Sequence, residues 1–150
     1  MSSNTYATEG SARVALPDWA YPLSDFAFRS LFSLIFLIAG LGHFVQADGM
    51  IQRLVEAPLG NIATSIAPAS LLISITGVVL VAAGLLLLLG FKARFAALAL
   101  IAVVIPITGT VHLAPGPEHM GPLFKNIALL GGLVHFAIRG AGSWSFDQRA

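Results

Sequence analysis

The chain has 150 residues, 57% of them hydrophobic and 10% charged, with a mean hydropathy of +0.86. Soluble domains carry about 25% charged residues, so this deficit places the chain in the membrane class. A net charge of +1 makes no electrostatic case for nucleic acid. The lack of cysteine excludes disulfides, thiolate catalysis, CxxC redox chemistry and Cys-bound zinc or iron–sulfur clusters within the chain.

Residues 1–24 are polar and mixed, with Pro17 and Pro22. They lack the basic start and apolar core of a secretory signal, so they read as a cytoplasmic N-terminal tail. Trp19 and Tyr21, just before the first apolar run, suit the interfacial aromatic belt. The first span is expected from about Asp25 to Gln46, with Ser24 or Asp25 as its cap. Arg29 lies one turn inside, where its long side chain is expected to snorkel to the inner surface. Leu31–Gly42 is uncharged, and His43 stands near the far end.

Residues 48–67 are the most polar internal stretch. Met50, Ile51, Leu54 and Val55 recur at helical spacing among Asp48, Arg53 and Glu56. This pattern predicts a short amphipathic helix lying on the outer face, its length limited by Pro58 and Pro68.

Two charge-free runs follow, joined by the basic elbow Gly90-Phe91-Lys92-Ala93-Arg94. A hydrocarbon core about 30 Å thick needs roughly 20 apolar residues in a helix. A helix apolar on every face must be wholly buried, and 150 residues cannot bury two of them. The pair is therefore a transmembrane hairpin, with spans at about Ala69–Leu89 and Arg94–Leu113. Pro106 predicts a kink near Ala102–Pro106, a feature that membrane helices tolerate. Ala114-Pro115-Gly116-Pro117 stops the third span. The fourth is expected to start near Gly121-Pro122, with proline in its first turn, and to end at Arg139-Gly140. Lys125 then falls at the outer interface. The tail 141–150 is small and polar, with Trp144 as an interfacial anchor.

On this layout Arg13, Arg29, Lys92, Arg94, Arg139 and Arg149 are inside, and Arg53 and Lys125 outside. The bias places both termini in the cytoplasm. The fold class is all-α: a four-helix transmembrane bundle, N-in and C-in, with a short outer amphipathic segment after the first helix. The membrane domain covers 25–140, between tails at 1–24 and 141–150. Small residues such as Gly40, Gly42, Gly77, Ala83, Gly84, Gly131 and Gly132 should let helices pack closely.

Chemistry is concentrated at one end. His43, His112 and His119 fall on the outer side, where Lys125 and Asn126 open the fourth helix. Ionisable groups at membrane depth usually face an interior or a cavity. Histidine titrates near neutrality and passes protons. A quinone needs hydrogen-bond partners for two carbonyls beside an apolar slot, so His43, His112, Lys125 and Asn126 are the candidate ligand-binding set. Asn126 is expected to point into the bundle, toward the His112 or the His43 end. Plainer readings stand beside these. His43 and His112 can be interfacial residues bonded to carbonyls, and His119 an exposed loop residue. His135 can be a packing residue, Lys125 a snorkelling cation, and Lys92 and Arg94 topology determinants. No HxxH or HxxxH pair predicts a metal site, no covalent cofactor is implied, and no catalytic residue stands out.

Several segments together resemble one family. They are Arg29 and Gly40-Leu41-Gly42-His43; Gly84 and Gly90 through Leu98; Pro106 and Thr108 ahead of His112; Phe124-Lys125-Asn126 through Gly132; and Gly142-Ser143-Trp144-Ser145-Phe146-Asp147. In order and spacing the stretch from about Phe28 to Asp147 resembles the DoxX family of small four-helix bacterial membrane proteins. The resemblance implies a multi-pass protein of the bacterial inner membrane. It also implies a link to redox complexes, since relatives include the membrane subunit of a thiosulfate:quinone oxidoreductase. Two functions follow. One is a redox-linked subunit with a quinone or small-ligand site. The other is a non-catalytic accessory subunit packed against a larger respiratory or other energy-transducing complex. Membrane lipids and either a homo-oligomer or other membrane subunits are the expected partners.

Overall fold

The computed structural model describes residues 16–113 and 116–149. The expectations for Arg13, for the rest of the tail's first fifteen residues and for the Ala114-Pro115 turn lie outside these. The described chain is all-helical, with no strand among the described residues. Four helices are long and apolar enough to cross a membrane. They are α1 (Ala20–Val45), α4 (Ala69–Leu89), α5 (Ala93–Ile107, continued by a π turn over Thr108–His112) and α6 (Pro117–Arg139). Two short helices, α2 (Ala47–Glu56) and α3 (Gly60–Ile66), lie between α1 and α4, and a 3-10 turn over Phe146–Gln148 follows α6.

α1 starts one turn earlier than its composition suggests. Pro22 occupies the third position of the helix, where the missing N–H has no helical partner to lose. Ser24 and Asp25 therefore do not cap it. Ser24 Oγ donates to the Tyr21 carbonyl (2.8 Å), and Asp25 Oδ2 accepts from the Ser143 amide (2.8 Å).

The predicted amphipathic helix is two helices. Pro58 pushes Ala57 out of the helical region to an extended conformation (φ −65°, ψ 148°), and the chain restarts at Gly60. Pro68 then precedes α4, which matches its expected bounds. Pro106 lies inside α5, and just downstream the helix widens into a π turn at Thr108–His112. There Thr108 Oγ1 donates to the Val104 carbonyl (2.6 Å), which the Thr108 amide also reaches. α6 starts at Pro117, which takes the first helical position, and Pro122 is carried inside the helix.

The core is centred on the inward stripe of α5: Ala93, Ala96, Ala97, Leu100 and Val104 are all nearly or fully buried. Leu80, Ala83 and Leu87 of α4 and Leu133 and Phe136 of α6 pack on it. α1 meets α4 through small residues. A Cβ built on Gly40 would come within 2.9 Å of Leu80 Cβ, and one on Gly77 within 2.9 Å of His43 Cβ. Backbones that close gain dispersion contacts, the main attraction between helices where lipid replaces water. α1 and α6 meet through rings: Phe28 stacks on Phe136 with centroids 5.0 Å apart, and Phe32 lies 5.5 Å from Phe136. Large apolar side chains such as Leu31 (70% exposed), Ile38 (69%) and Val45 (82%) point outward. A soluble domain would hide that much contiguous apolar surface, whereas a lipid-facing helix presents it.

The two ends of the bundle differ. At one end α2 and α3 cover the mouth. At the other, the tail after Arg139 folds back on α1 and the α4–α5 elbow. Arg29 holds it there and does not snorkel: it is 1% exposed. Its guanidinium donates to the carbonyls of Leu88 (3.2 Å), Ala141 (2.6 Å), Ser143 (3.1 Å) and Trp144 (2.8 Å). Asp147 completes the latch by accepting from the backbone amides of Lys92 (2.6 Å) and Ala93 (2.9 Å), the first donors of α5. Trp144, expected as an interfacial anchor, is 57% exposed with its ring 6.2 Å from Phe26.

Candidate functional site

A cavity of about 430 Å³ opens at the α2–α3 end, between α1, α4, α5 and α6. Its floor is apolar, with Phe36, Leu72, Leu80, Val104, Ile107 and Leu129. The polar wall contains His43, His112, Lys125 and Asn126, so all four candidate residues line one space.

Each reaches it for a local reason. His43 stands near the end of α1, where the Gly77 gap lets its turn press against α4. Its Nδ1 lies 2.8 Å from the Ala39 carbonyl. A carbonyl only accepts, so the proton sits on Nδ1 and Nε2 is left as an acceptor. The carbonyl-bonded reading and the cavity-lining reading therefore both hold for His43. His112 ends the π turn, and the wider turn sets the direction in which its ring leaves the helix. Its Nδ1 is buried and has no hydrogen-bond partner in the protein.

Asn126 is 6% exposed and faces α5, where its Nδ2 donates to Thr108 Oγ1 (2.9 Å). Its partner is thus one turn ahead of His112, not a histidine. Lys125 is exposed and lines the cavity from the next position round the helix. Because α6 starts at Pro117, Lys125 lies two turns inside it and not at its start. His119, expected in a loop, is in the first turn of α6, with Nε2 3.4 Å from Glu118 Oε1. It does not line the cavity. His135 packs edge-on against Phe28 and Phe136 at the outer surface, away from this site.

Two contributors were not read from the sequence. Arg53 of α2 lines the cavity along with Met50 and Leu54. The helical spacing that marks Met50 and Leu54 as one face also puts Arg53 on it, so the signal was present. Thr110, in the π turn, could not be placed without knowing where that turn falls. The wall therefore carries two cations, two imidazoles and an amide, and no carboxylate lines it. Among the described residues no three His, Asp or Glu side chains converge as a metal site would require.

The family described as DoxX matches residues 24–113, which is more than half of the chain. The chain belongs to the DoxX family. That match runs from the second turn of α1 to just past the π turn, including His43, Arg53 and His112. Lys125, Asn126 and the latched tail of this DoxX chain lie beyond the matched residues. No curated protein and no solved structure matches.

Proposed function

We propose that this DoxX protein is a redox-linked membrane subunit that binds a quinone, or a small ligand of similar shape, in the cavity beneath α2 and α3. The observation that carries the reading is His112 Nδ1, a buried ring nitrogen without a partner in a cavity wall. Buried polar atoms are nearly always paired, so a wall residue with an unpaired ring nitrogen has hydrogen-bonding capacity left for a ligand or water. The donor set fits a quinone. Lys125 and Arg53 are donors, His112 donates or accepts according to tautomer, and His43 Nε2 is an acceptor for a quinol hydroxyl. The apolar floor suits a ring and the first part of a hydrocarbon tail. A quinone, when bound, supplies two carbonyl acceptors and a site for two electrons and two protons. This chain's part is to hold the carbonyls, shut out water with α2 and α3, and pass protons through imidazole. With no cysteine in the chain, electrons come from a partner or a bound cofactor. The family and the charge bias favour the bacterial inner membrane, with the latched end in the cytoplasm.

Binding of a quinone analogue to the purified protein tests this. His112→Ala and Lys125→Ala should each weaken it about tenfold, the effect of losing one buried hydrogen bond. Unchanged affinity in both, and in His43→Ala, would reject the site.

A second reading is an accessory subunit seated on a larger complex. The exposed line Leu31, Ile38 and Val45 along one side of α1 favours it, because it serves a partner helix as well as lipid. Native-gel migration from mild detergent separates the readings: a homo-oligomer without any other subunit speaks against this one.

A further inference from the structure

We propose that the latched end of the bundle carries a second site, for the anionic headgroup of a phospholipid. A depression of about 460 Å³ lies there between the start of α5, the end of α6 and the folded tail. Lys92, Arg94 and Arg139 line it, with Phe95, Asp147 and Gln148. Among the described residues none of the three cations forms an ion pair. The single carboxylate in the lining, Asp147, is engaged by the amides of Lys92 and Ala93. The depression therefore carries an excess of two positive charges, three less the one of Asp147.

Its depth points to lipid. Trp19 (62% exposed), Tyr21 (59%) and Trp144 (57%) stand at this same end, and exposed aromatic residues of this kind collect at headgroup level. Phe95, next to Arg94, is 72% exposed and offers an apolar flank along which an acyl chain can lie. Basic pockets between membrane helices are suited to acidic headgroups, where each Lys or Arg strengthens binding roughly fivefold. The wall is also fixed in place, because Arg29 and Asp147 lock the tail that forms it. Cations serving only to orient the chain would need no shared depression, and would show no choice between lipids.

The experiment uses the full chain in mild detergent, titrated with phosphatidylglycerol, phosphatidylcholine or inorganic phosphate while thermal unfolding is followed. Phosphatidylglycerol should raise the melting temperature; phosphatidylcholine and phosphate should not. The double variant Arg94→Gln/Arg139→Gln should lose that rise, Arg94→Lys/Arg139→Lys should keep most of it, and Arg53→Gln at the opposite end should keep all of it. Equal stabilisation by phosphatidylcholine overturns the proposal, as does persistence of the effect in the double glutamine variant. Stabilisation by phosphate alone means a soluble-anion site and overturns it equally. If the glutamine variant does not fold, native mass spectrometry of the unaltered chain decides. Retention of phosphatidylglycerol several-fold over phosphatidylcholine supports the site, and equal retention removes it.

Discussion

The Asn126 amide donates to the Thr108 hydroxyl across α5 and α6 at 2.9 Å, and that hydroxyl donates in turn to the Val104 carbonyl at 2.6 Å. The relay joins α6 to the point where α5 widens into its π turn. Both side chains are buried, Asn126 at 6% and Thr108 at 8% exposure. Interhelical hydrogen bonds of this kind contribute about 0.6–2 kcal/mol in membrane proteins. Asn126→Leu should therefore lower stability by about 1 kcal/mol, and Thr108→Val by a similar amount. In a double-mutant cycle on the purified protein the two losses should not add. Full additivity would mean that the pair is not coupled.

Arg29 should be far more sensitive. Its planar fork supplies several donors to four carbonyls on two separate segments. Lysine has a single ammonium and cannot span them. Arg29→Lys should cost about 3 kcal/mol or more, since carbonyls lose charge-assisted bonds in a buried site. Hydrogen exchange should rise across residues 141–148 before it rises in α4 or α5. Uniform loosening of all four spans would show that Arg29 stabilises the bundle as a whole and not the tail.

The spans were legible in the sequence because lipid demands length and apolarity, and both are sums over many residues. Ala69–Leu89 fell where expected for that reason. Arg29 was misread because snorkelling is the general habit of a cation near a helix end, while its actual partners lie more than one hundred residues away, at Ala141 and Ser143. The start of α6 was misread because Gly121-Pro122 resembles a helix start as well as Pro117 does, and a proline inside a membrane helix leaves no periodicity mark. The four candidate residues were chosen through shared depth alone, and one cavity has all four in its lining. Arg53 escaped because α2 was treated as a surface helix, with no reason to ask which face covered the bundle.

Close approach of α1 and α4 depends on Gly77. A Cβ there would meet His43 Cβ at 2.9 Å and the Phe44 ring at 3.0 Å. His43 Cβ is fixed to the helix backbone, so α1 must move for a larger residue to fit, while the Phe44 ring can turn aside. Gly77→Leu should destabilise by about 1–3 kcal/mol, the usual range for overpacking. It should also displace His43 from the cavity wall. The measurement is a thermal melt together with quinone-analogue binding. A normal melt with normal binding would show that the α1–α4 contact adapts freely.

Orientation follows from where the cations stand. Among the described residues Arg29, Lys92, Arg94, Arg139 and Arg149 are at the latched end, and Arg53 and Lys125 at the cavity end. Short loops carrying Lys and Arg stay in the cytoplasm, and the α4–α5 elbow is the shortest connection between two spans, with Lys92 in it, Arg94 in the turn that follows and no carboxylate. The latched end should therefore face the cytoplasm and the cavity the periplasm. The chain has no cysteine, so single replacements give a clean background. In intact bacterial cells an impermeant maleimide should label Arg53→Cys but not Lys92→Cys, and Lys92→Cys should react only after the inner membrane is opened. Labelling of position 92 from the periplasmic side alone would invert the topology. It would also place a quinone bound in the cavity on the cytoplasmic side, so that its protons would be taken from the cytoplasm and not from the periplasm.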